Sequence, residues 1–264
     1  MKMKESLDIR ATIGARTVSR QRVLEWESAR ATKVLTTFAA KLGERAMREL
    51  SPNQSVQQLL STNLAEQRSA LTRLKYELGH AGIYAALRRE MAVSERLTRI
   101  GVAASRGRTR HAVTRLQVPG VDAERSVEWF DNLTITNAET DMLDACPDHY
   151  LLRGLPDGRQ EVIETTGGSP AASRFLVDYT RTASLTIEID HDYPIQVAGS
   201  AVLDDGLVIG GVRHQFRNVN GNLDAVLTVQ FPGTTPARLI AEHQWHLACE
   251  FSNWIEAAHR SVAT

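Results

Sequence analysis

The chain has 264 residues, of which 42% are hydrophobic and 23% charged, the composition of a globular protein with a sizeable core. No apolar run approaches the ~20 residues that span a membrane, the start lacks the apolar core of a secretory signal, and two cysteines make no disulfide framework. These features favour a cytoplasmic protein with no membrane role. The net charge of zero divides unevenly, because residues 1–118 carry 22 basic and 10 acidic residues and residues 119–264 carry 9 and 21.

Residues 1–118 are expected to form a basic helical region. Residues 1–14 are polar and predicted to be poorly ordered. Apolar residues then recur at helical spacing and predict helices over 15–50, 56–78 and 83–100. The breaks are expected at Ser51-Pro52-Asn53 and at Gly79, a basic loop over 101–113 and a linker over 118–126.

The charge division suggests what this region does. Net charges of +12 and −12 on the two parts predict attraction within the chain or between subunits. We therefore expect residues 1–118 to make a homodimer or to cover a cavity in the second part. The cluster Arg106, Arg108 and Arg110 invites a nucleic-acid interpretation, but no helix-turn-helix or zinc-finger pattern accompanies it, so nucleic acid is not a favoured partner.

Residues 119–264 have the pattern of an α+β domain. A short helix near Ser126 is followed by alternating segments, QEVIETT, SRFLVDYT, SLTIEI, IQVAGSAVL, LVIGGVRHQFR and DAVLTVQF, joined by tight turns. Such a series predicts an antiparallel sheet. The last stretch, 236–258, predicts one long amphipathic helix packed across the sheet, with a cavity between them.

Histidines and glutamates mark the places where chemistry is expected. His246 and Glu250 lie one helical turn apart and share a face, so they can bind one divalent ion or simply hydrogen-bond to each other. Glu164 shares a strand face with Val162, and a carboxylate facing inward needs a partner. His149 precedes the first hairpin, and His214 lies on a later strand.

Four stretches resemble the family of diacetylphloroglucinol and phloretin hydrolases, metal-dependent enzymes that cleave a carbon–carbon bond between an acyl group and a phenolic ring. They are VEWF followed by ACPDHY, VIETTGG, VRHQFRNVNG and HLACEFSNW, in the same order over residues 127–255. The resemblance implies a Bet v1-like helix-grip fold, in which a curved antiparallel sheet surrounds a long C-terminal helix. It also implies that His149, Glu164, His246 and Glu250 bind Zn²⁺ or another divalent ion and that His214 is an active-site histidine.

Three other interpretations stay open at this stage. Cys146 and Cys249 could join His149 and His246 in a closed structural zinc site. The domain could bind a hydrophobic small molecule without catalysis, or residues 1–118 could carry the function as an adaptor or nucleic-acid binder. The leading hypothesis is a zinc-dependent hydrolase acting on an aromatic or cyclic ketone, with His214 moving a proton.

Overall fold

The structure, a computed structural model, describes residues 7–50 and 54–262. The helix break predicted at Ser51, Pro52 and Asn53 lies outside these residues, as do the first six positions of the predicted N-terminal tail. Within the described part of the chain, no helix has both the length and the apolarity that crossing a membrane requires.

One sheet of nine antiparallel strands runs through the described chain. The strands are β1 (Arg10–Ile13), β2 (Arg16–Ser19), β3 (Thr109–Val118), β4 (His149–Gly154), β5 (Gln160–Glu164), β6 (Ser173–Asp178), β7 (Ile195–Val202), β8 (Val208–Val219) and β9 (Asn222–Pro232). Their spatial order is β2-β1-β3-β9-β8-β7-β6-β5-β4. From β4 to β9 each strand lies beside the strand that follows it in the chain.

Helices lie between the strands and follow the last one. They are α1 (Arg20–Leu50), α2 (Val56–Leu60), α3 (Leu64–Ser105), α4 (Ala123–Ile135), α5 (Glu139–Asp144) and α6 (Ala237–Val262). Gly79 interrupts α3 with a φ of 59°, a conformation that suits glycine. The predicted break at Gly79 therefore exists, but the helix resumes directly after it. The predicted helix over 56–78 is divided, because α2 ends before Asn63 caps the start of α3.

The prediction of a polar tail, helices and a basic loop over residues 1–118 is wrong in two places, because three strands form there. Strands β1 and β2 form a hairpin within the predicted tail and first helix, and β3 occupies part of the predicted basic loop and linker. In β3 the side chains of Ala112, Thr114 and Leu116 are buried while Arg115 is exposed. The basic residues of this stretch suggested a loop, but they alternate with buried residues as in a strand. Strand β3 pairs along its full length with β9.

The helix-grip prediction is also wrong, although the broader α+β class holds. The sheet has nine strands, three of them from residues 1–118, and helices lie at both ends of the chain. Strands β4 and β5 are covered on both faces. Leu151 and Ile163 pack with α1 and α3, and Leu152 and Val162 pack with α4 and α5. The apolar stripes of α1 and α3 require a partner surface, and they find it on these strands.

A shared core connects the parts on either side of residue 118. Ile9 of the N-terminal segment and Leu116 of β3 belong to the same buried cluster as Phe251 and Ile255 of α6. The α6 helix is also fixed to β3 by the hydroxyl of Thr114, which donates to the carbonyl of Gln244 over 2.8 Å. The first strands therefore help to position the helix that carries His246.

One predicted strand is absent from the sheet. Residues 184–189, the SLTIEI stretch, are irregular. The amide of Thr186 donates to the side-chain oxygen of Gln230 over 2.6 Å, so it bonds a side chain instead of a neighbouring strand. Since β8 already has β7 and β9 as neighbours, its two edges are filled.

Candidate metal centre and cavity

His149 and Glu164 face each other across two neighbouring strands. His149 begins β4, Glu164 ends β5, and the antiparallel register makes them direct partners. The register shifts between His149 and Leu151, an irregularity that can redirect a side chain at a site. Two residues that are 15 positions apart in the sequence are thereby brought together by one hairpin.

A buried ion pair holds this hairpin in place. Arg30 of α1 donates to Asp148 through Nε over 2.9 Å, and the Asp148 side chain is fully buried. Asp148 also accepts from the hydroxyl of Thr165, and its carbonyl accepts from the Thr165 amide at 3.2 Å. Asp148 and Thr165 are the immediate neighbours of His149 and Glu164, so this contact fixes the backbone that carries both.

Helix α6 supplies the other two side chains. His246 and Glu250 are one turn apart on it, as the spacing predicted. The turn after Glu164 approaches the start of α6 closely, because a Cβ at Gly167 would lie 2.3 Å from the carbonyl oxygen of Leu239. Gly167 also has a φ of 55°, so glycine is required there for both reasons.

The four side chains predicted to bind metal converge on one point. The Nε2 atoms of His149 and His246 are 3.1 Å apart. Oxygens of Glu250 lie 3.5 Å from the first nitrogen and 3.9 Å from the second. The Oε2 of Glu164 lies 4.0 and 3.8 Å from the same two nitrogens. All four side chains are at most 13% exposed.

Burial favours the neutral form of each group in this cluster. It lowers the pKa of His149 to about 3 and that of His246 well below the ordinary value. It raises the pKa of Glu164 to about 7 and that of Glu250 well above its ordinary value. The Nδ1 of His149 lies 3.2 Å from the carbonyl of Met142, so this nitrogen carries the hydrogen and Nε2 presents its lone pair to the cluster.

The other buried acidic residues of the described chain are compensated differently. Glu27, Asp148, Glu161 and Asp224 each pair with an arginine. Among the described residues, Glu164 and Glu250 have no arginine or lysine within ion-pair distance. Their ion-pair contacts are to the two imidazoles, and Glu164 also accepts from the hydroxyl of Thr166 over 3.2 Å. A buried carboxylate without a cation is costly, so these two must stay protonated or receive a cation from outside the chain.

Cys146 offers a second way to bind a metal at His246. Its Sγ lies 3.7 Å from Nδ1 of His246, and Cys146, His149 and His246 form a buried group whose ligand atoms all lie within 4.8 Å of one another. This group could hold a metal ion. The Cys249 thiol instead donates to the carbonyl of Ala145 over 3.7 Å and does not belong to the group, so the closed site with two cysteines lacks its fourth member.

His214 lies on the cavity wall, separate from the ion-pair contacts of the cluster. Its ring packs edge-on against Phe251 with 4.7 Å between centroids, and its buried Nδ1 has no hydrogen-bond partner. Burial lowers the pKa of His214 to about 3. It is a neutral imidazole with one free nitrogen.

Two further residues of the cavity were not selected from the sequence. His243 is stacked on His246 with 4.8 Å between ring centroids and has an unpartnered Nδ1, and the buried Nε1 of Trp254 also lacks a partner. Both share the face of α6 that carries His246 and Glu250, at positions i, i+3, i+7 and i+11. That spacing could have identified them.

One large cavity is lined by the four side chains of the cluster and by His214, His243 and Trp254. Its volume is about 870 Å³, and it is enclosed by the sheet from β4 to β9, the helices α4 and α6 and one face of α3. Outside the histidines and glutamates its wall is mostly apolar and aromatic, with Phe130, Phe175, Phe251 and Trp254 among the lining residues. Concave apolar walls with a few convergent polar groups are typical of small-molecule sites.

Fold and site define an α+β protein with a buried histidine–glutamate cluster in an apolar cavity. No protein-family model matches the chain, and no curated protein matches it. A crystal structure of protein Ms6760 from Mycobacterium smegmatis is similar over 59% of this chain and 97% of its own, with 13% identity and a TM-score of 0.32. A likeness at that level carries no argument about function.

Proposed function

We propose that the protein is a metal-dependent hydrolase that cleaves the carbon–carbon bond between an acyl group and an aromatic or cyclic ketone. The observation that carries the proposal is the pair of buried carboxylates, Glu164 and Glu250. They face two neutral imidazoles and, over residues 7–50 and 54–262, no lysine or arginine within ion-pair distance. A divalent cation is what such a cluster lacks.

The donor set suits zinc or a similar ion. Imidazole nitrogens and carboxylate oxygens bind zinc at about 2.0–2.2 Å, which in a tetrahedral site separates neighbouring ligand atoms by roughly 3.3 Å. The separations between the two imidazole nitrogens, and from them to the carboxylate oxygens, are 3.1–4.0 Å and close to that value. The alternative ligand Cys146 contacts Nδ1 of His246, whereas the carboxylates lie near Nε2. We favour the set with Glu164 and Glu250, because only that set neutralises the two carboxylates.

The surrounding residues would bind and orient an acyl aromatic compound. A bound divalent ion supplies Lewis-acid activation of a carbonyl oxygen or of water. Water adds its oxygen to the acyl carbon, the bond from that carbon to the ring breaks, and the electron pair stays on the ring carbon, which takes up a proton. His214, neutral and with a free Nδ1, is placed on the wall to accept a proton and pass it to that carbon.

Metal content and cleavage of an acylated polyhydroxybenzene test the proposal together. Purified protein is expected to hold about one zinc or similar ion per chain. Removing the ion with a chelator should abolish release of the carboxylic acid and the deacylated ring, and adding it back should restore both. A metal-free protein that is folded and cleaves the compound at the same rate would contradict the proposal.

A non-catalytic binder of a hydrophobic small molecule is the second candidate. The cavity of about 870 Å³ and the unpartnered ring nitrogens of His243 and Trp254 favour it, since they need no reaction to bind a ligand. This candidate predicts ligand binding at equal strength with and without metal and no cleavage. The same purified samples distinguish the two candidates.

For residues 1–118 we propose that covering the cavity is one role. Five residues of α3, from Val93 to Gly101, line the cavity wall, which supports this part of the earlier expectation. A homodimer stays a prediction, which light scattering at low and high salt would test, because charge attraction between +12 and −12 parts weakens with ionic strength.

A further inference from the structure

The opening of the cavity is lined by apolar side chains that water reaches. Val93 and Leu97 of α3 and Ile135 at the end of α4 are 51%, 63% and 81% exposed, and all three also line the cavity. Large apolar side chains with this exposure are unfavourable in water unless something covers them. They continue an apolar wall that begins at the buried cluster, where Met142 and Leu247 are 1% exposed.

The cavity also exceeds what a compact ligand fills. Its volume of about 870 Å³ lies near the upper end of the ~300–1,000 Å³ of small-molecule sites. Four ionisable wall residues, His149, Glu164, His246 and Glu250, are gathered in one cluster, which can bind one polar group of a ligand. Asp131, Tyr179, His214 and His243 also line the cavity. The rest of the wall offers mainly apolar contact and suits an apolar ligand part.

We propose that the ligand of this cavity carries a long apolar arm, such as an unbranched acyl chain, that runs from the histidine–glutamate cluster out to Val93, Leu97 and Ile135. The inference rests on the proposed function in one respect only, that the ketone group lies at the cluster. The apolar arm of the bound ligand then covers these three exposed side chains.

A series of phenyl ketones with unbranched acyl chains of increasing length tests the arm. These compounds lack ring hydroxyls, so the ring carbon cannot stabilise the departing electron pair and binding can be measured without cleavage. Calorimetry on the metal-loaded protein is expected to give about a two- to fourfold rise in affinity per added methylene until the chain leaves the opening. Affinity that is independent of chain length would overturn the proposal.

Two rim variants and one matched control locate the arm. Leu97→Ser and Ile135→Ser should each weaken binding of the longest ketones by roughly 3- to 10-fold and leave the shortest unchanged. Ile100→Ser is the control, because Ile100 is 65% exposed on the same helix but does not line the cavity. Equal losses for short and long chains contradict the arm. A change of oligomeric state in both Leu97→Ser and Ile100→Ser would also contradict the arm, because it would show that the exposed apolar side chains of α3 bind a second copy of the chain.

Failure of this inference and failure of the proposed reaction give different results. If binding depends on chain length but acylated polyhydroxybenzenes are not cleaved, the proposed arm is supported and the proposed reaction is contradicted. If short-chain substrates are cleaved but binding does not depend on chain length, the proposed reaction is supported and the proposed arm is contradicted.

Discussion

Two groups of buried ionisable side chains lie along α6, and they are neutralised in different ways. In the first, Glu27 is fully buried and pairs with Arg68 at 2.6 Å, and Asn253 of α6 donates to its other oxygen over 3.1 Å. In the second, the ion-pair contacts of Glu164 and Glu250 are to His149 and His246. The part of the chain that the structure describes supplies an arginine to the first group and neither arginine nor lysine to the second.

The difference separates a structural group from a binding group. Glu27 and Arg68 tie α1 and α3 to α6, and their charges are satisfied as soon as the chain folds. In the second group, burial raises the pKa of Glu164 to about 7, so folding alone leaves its carboxyl group near the point of protonation. Only a cation from outside the chain restores both negative charges, and this makes the second group the better candidate for function.

Loss of a proposed metal ligand should have the largest effect. We expect His246→Ala and Glu250→Gln each to remove most of the bound metal and nearly all cleavage, because each takes one donor from the cluster. Glu242→Gln is a matched control on the same helix, since Glu242 accepts from Nε1 of Trp26 outside the cluster. Elemental analysis and product release measure the outcome. Full metal content in both ligand variants would show that the second group does not bind the ion.

Replacing His214 should reduce turnover without removing metal. Asparagine keeps similar size and one hydrogen bond but cannot carry a proton, so His214→Asn is expected to lower turnover by roughly 10²–10⁴-fold. Metal content and ketone affinity should stay nearly unchanged. His111→Asn is the control, because His111 does not line the cavity. Its Nε2 lies 3.0 Å from the hydroxyl of Thr186. A lower melting temperature with normal turnover of the folded fraction would assign His214 to packing instead.

Replacing a glutamate by glutamine should change the free energy of unfolding differently in the two groups. In metal-free protein, Glu27→Gln leaves Arg68 without its partner and is expected to cost about 3 kcal/mol of unfolding free energy. That value is at the lower end for broken buried pairs, because the Arg68 side chain is 23% exposed. Glu164→Gln should change the same quantity by less than about 1 kcal/mol or raise it, since it replaces an uncompensated carboxyl group. Urea unfolding of stripped samples measures both. Similar losses in the two variants would remove the distinction between the groups.

Metal affinity should fall as the pH is lowered through about 7. The ion binds the ionised carboxylate of Glu164, whose pKa burial raises to about 7, so below that pH binding must displace a proton. Each displaced proton lowers the apparent affinity by about tenfold per pH unit. The stability of the metal-free protein should depend on pH in the opposite direction. Between about pH 4.5 and 7 the folded state binds the Glu164 proton more tightly than the unfolded state does, so its free energy of unfolding should fall relative to that of Glu164→Gln as the pH rises. Calorimetry in two buffers of different ionisation enthalpy detects the released protons. Binding that releases none would contradict the role of Glu164.

The smallest effect is expected from the cysteines. Cys146 lies 3.7 Å from Nδ1 of His246 and can orient that ring, so Cys146→Ala should lower metal affinity by about tenfold or less. Replacing Cys146 and Cys249 together should still leave the metal in place. Complete metal loss in Cys146→Ala, with Glu250→Gln unaffected, would instead assign the site to the group of Cys146, His149 and His246.

Local patterns allowed several elements to be predicted. The helical spacing over 236–258 located α6 and placed His246 and Glu250 on one face, because a helix sets the direction of its side chains from sequence distance alone. Alternation in QEVIETT placed Glu164 on a strand in the same way. The positions of His243 and Trp254 followed the same helical rule and were available from it.

Only the tertiary structure decided how these elements combine. The pairing of His149 with Glu164 depends on the register of β4 and β5. The ion pair between Arg30 and Asp148 joins residues 118 positions apart. Sequence spacing holds no information on such contacts, because they arise when separate apolar surfaces find each other. The same reason explains the failure of the helix-grip prediction. The local geometry of α6 and β5 follows from the spacing of residues along the chain. The nine-strand sheet, the neutral state of His214 and the lack of an arginine or lysine partner for Glu164 and Glu250 among the described residues are properties of the packed chain.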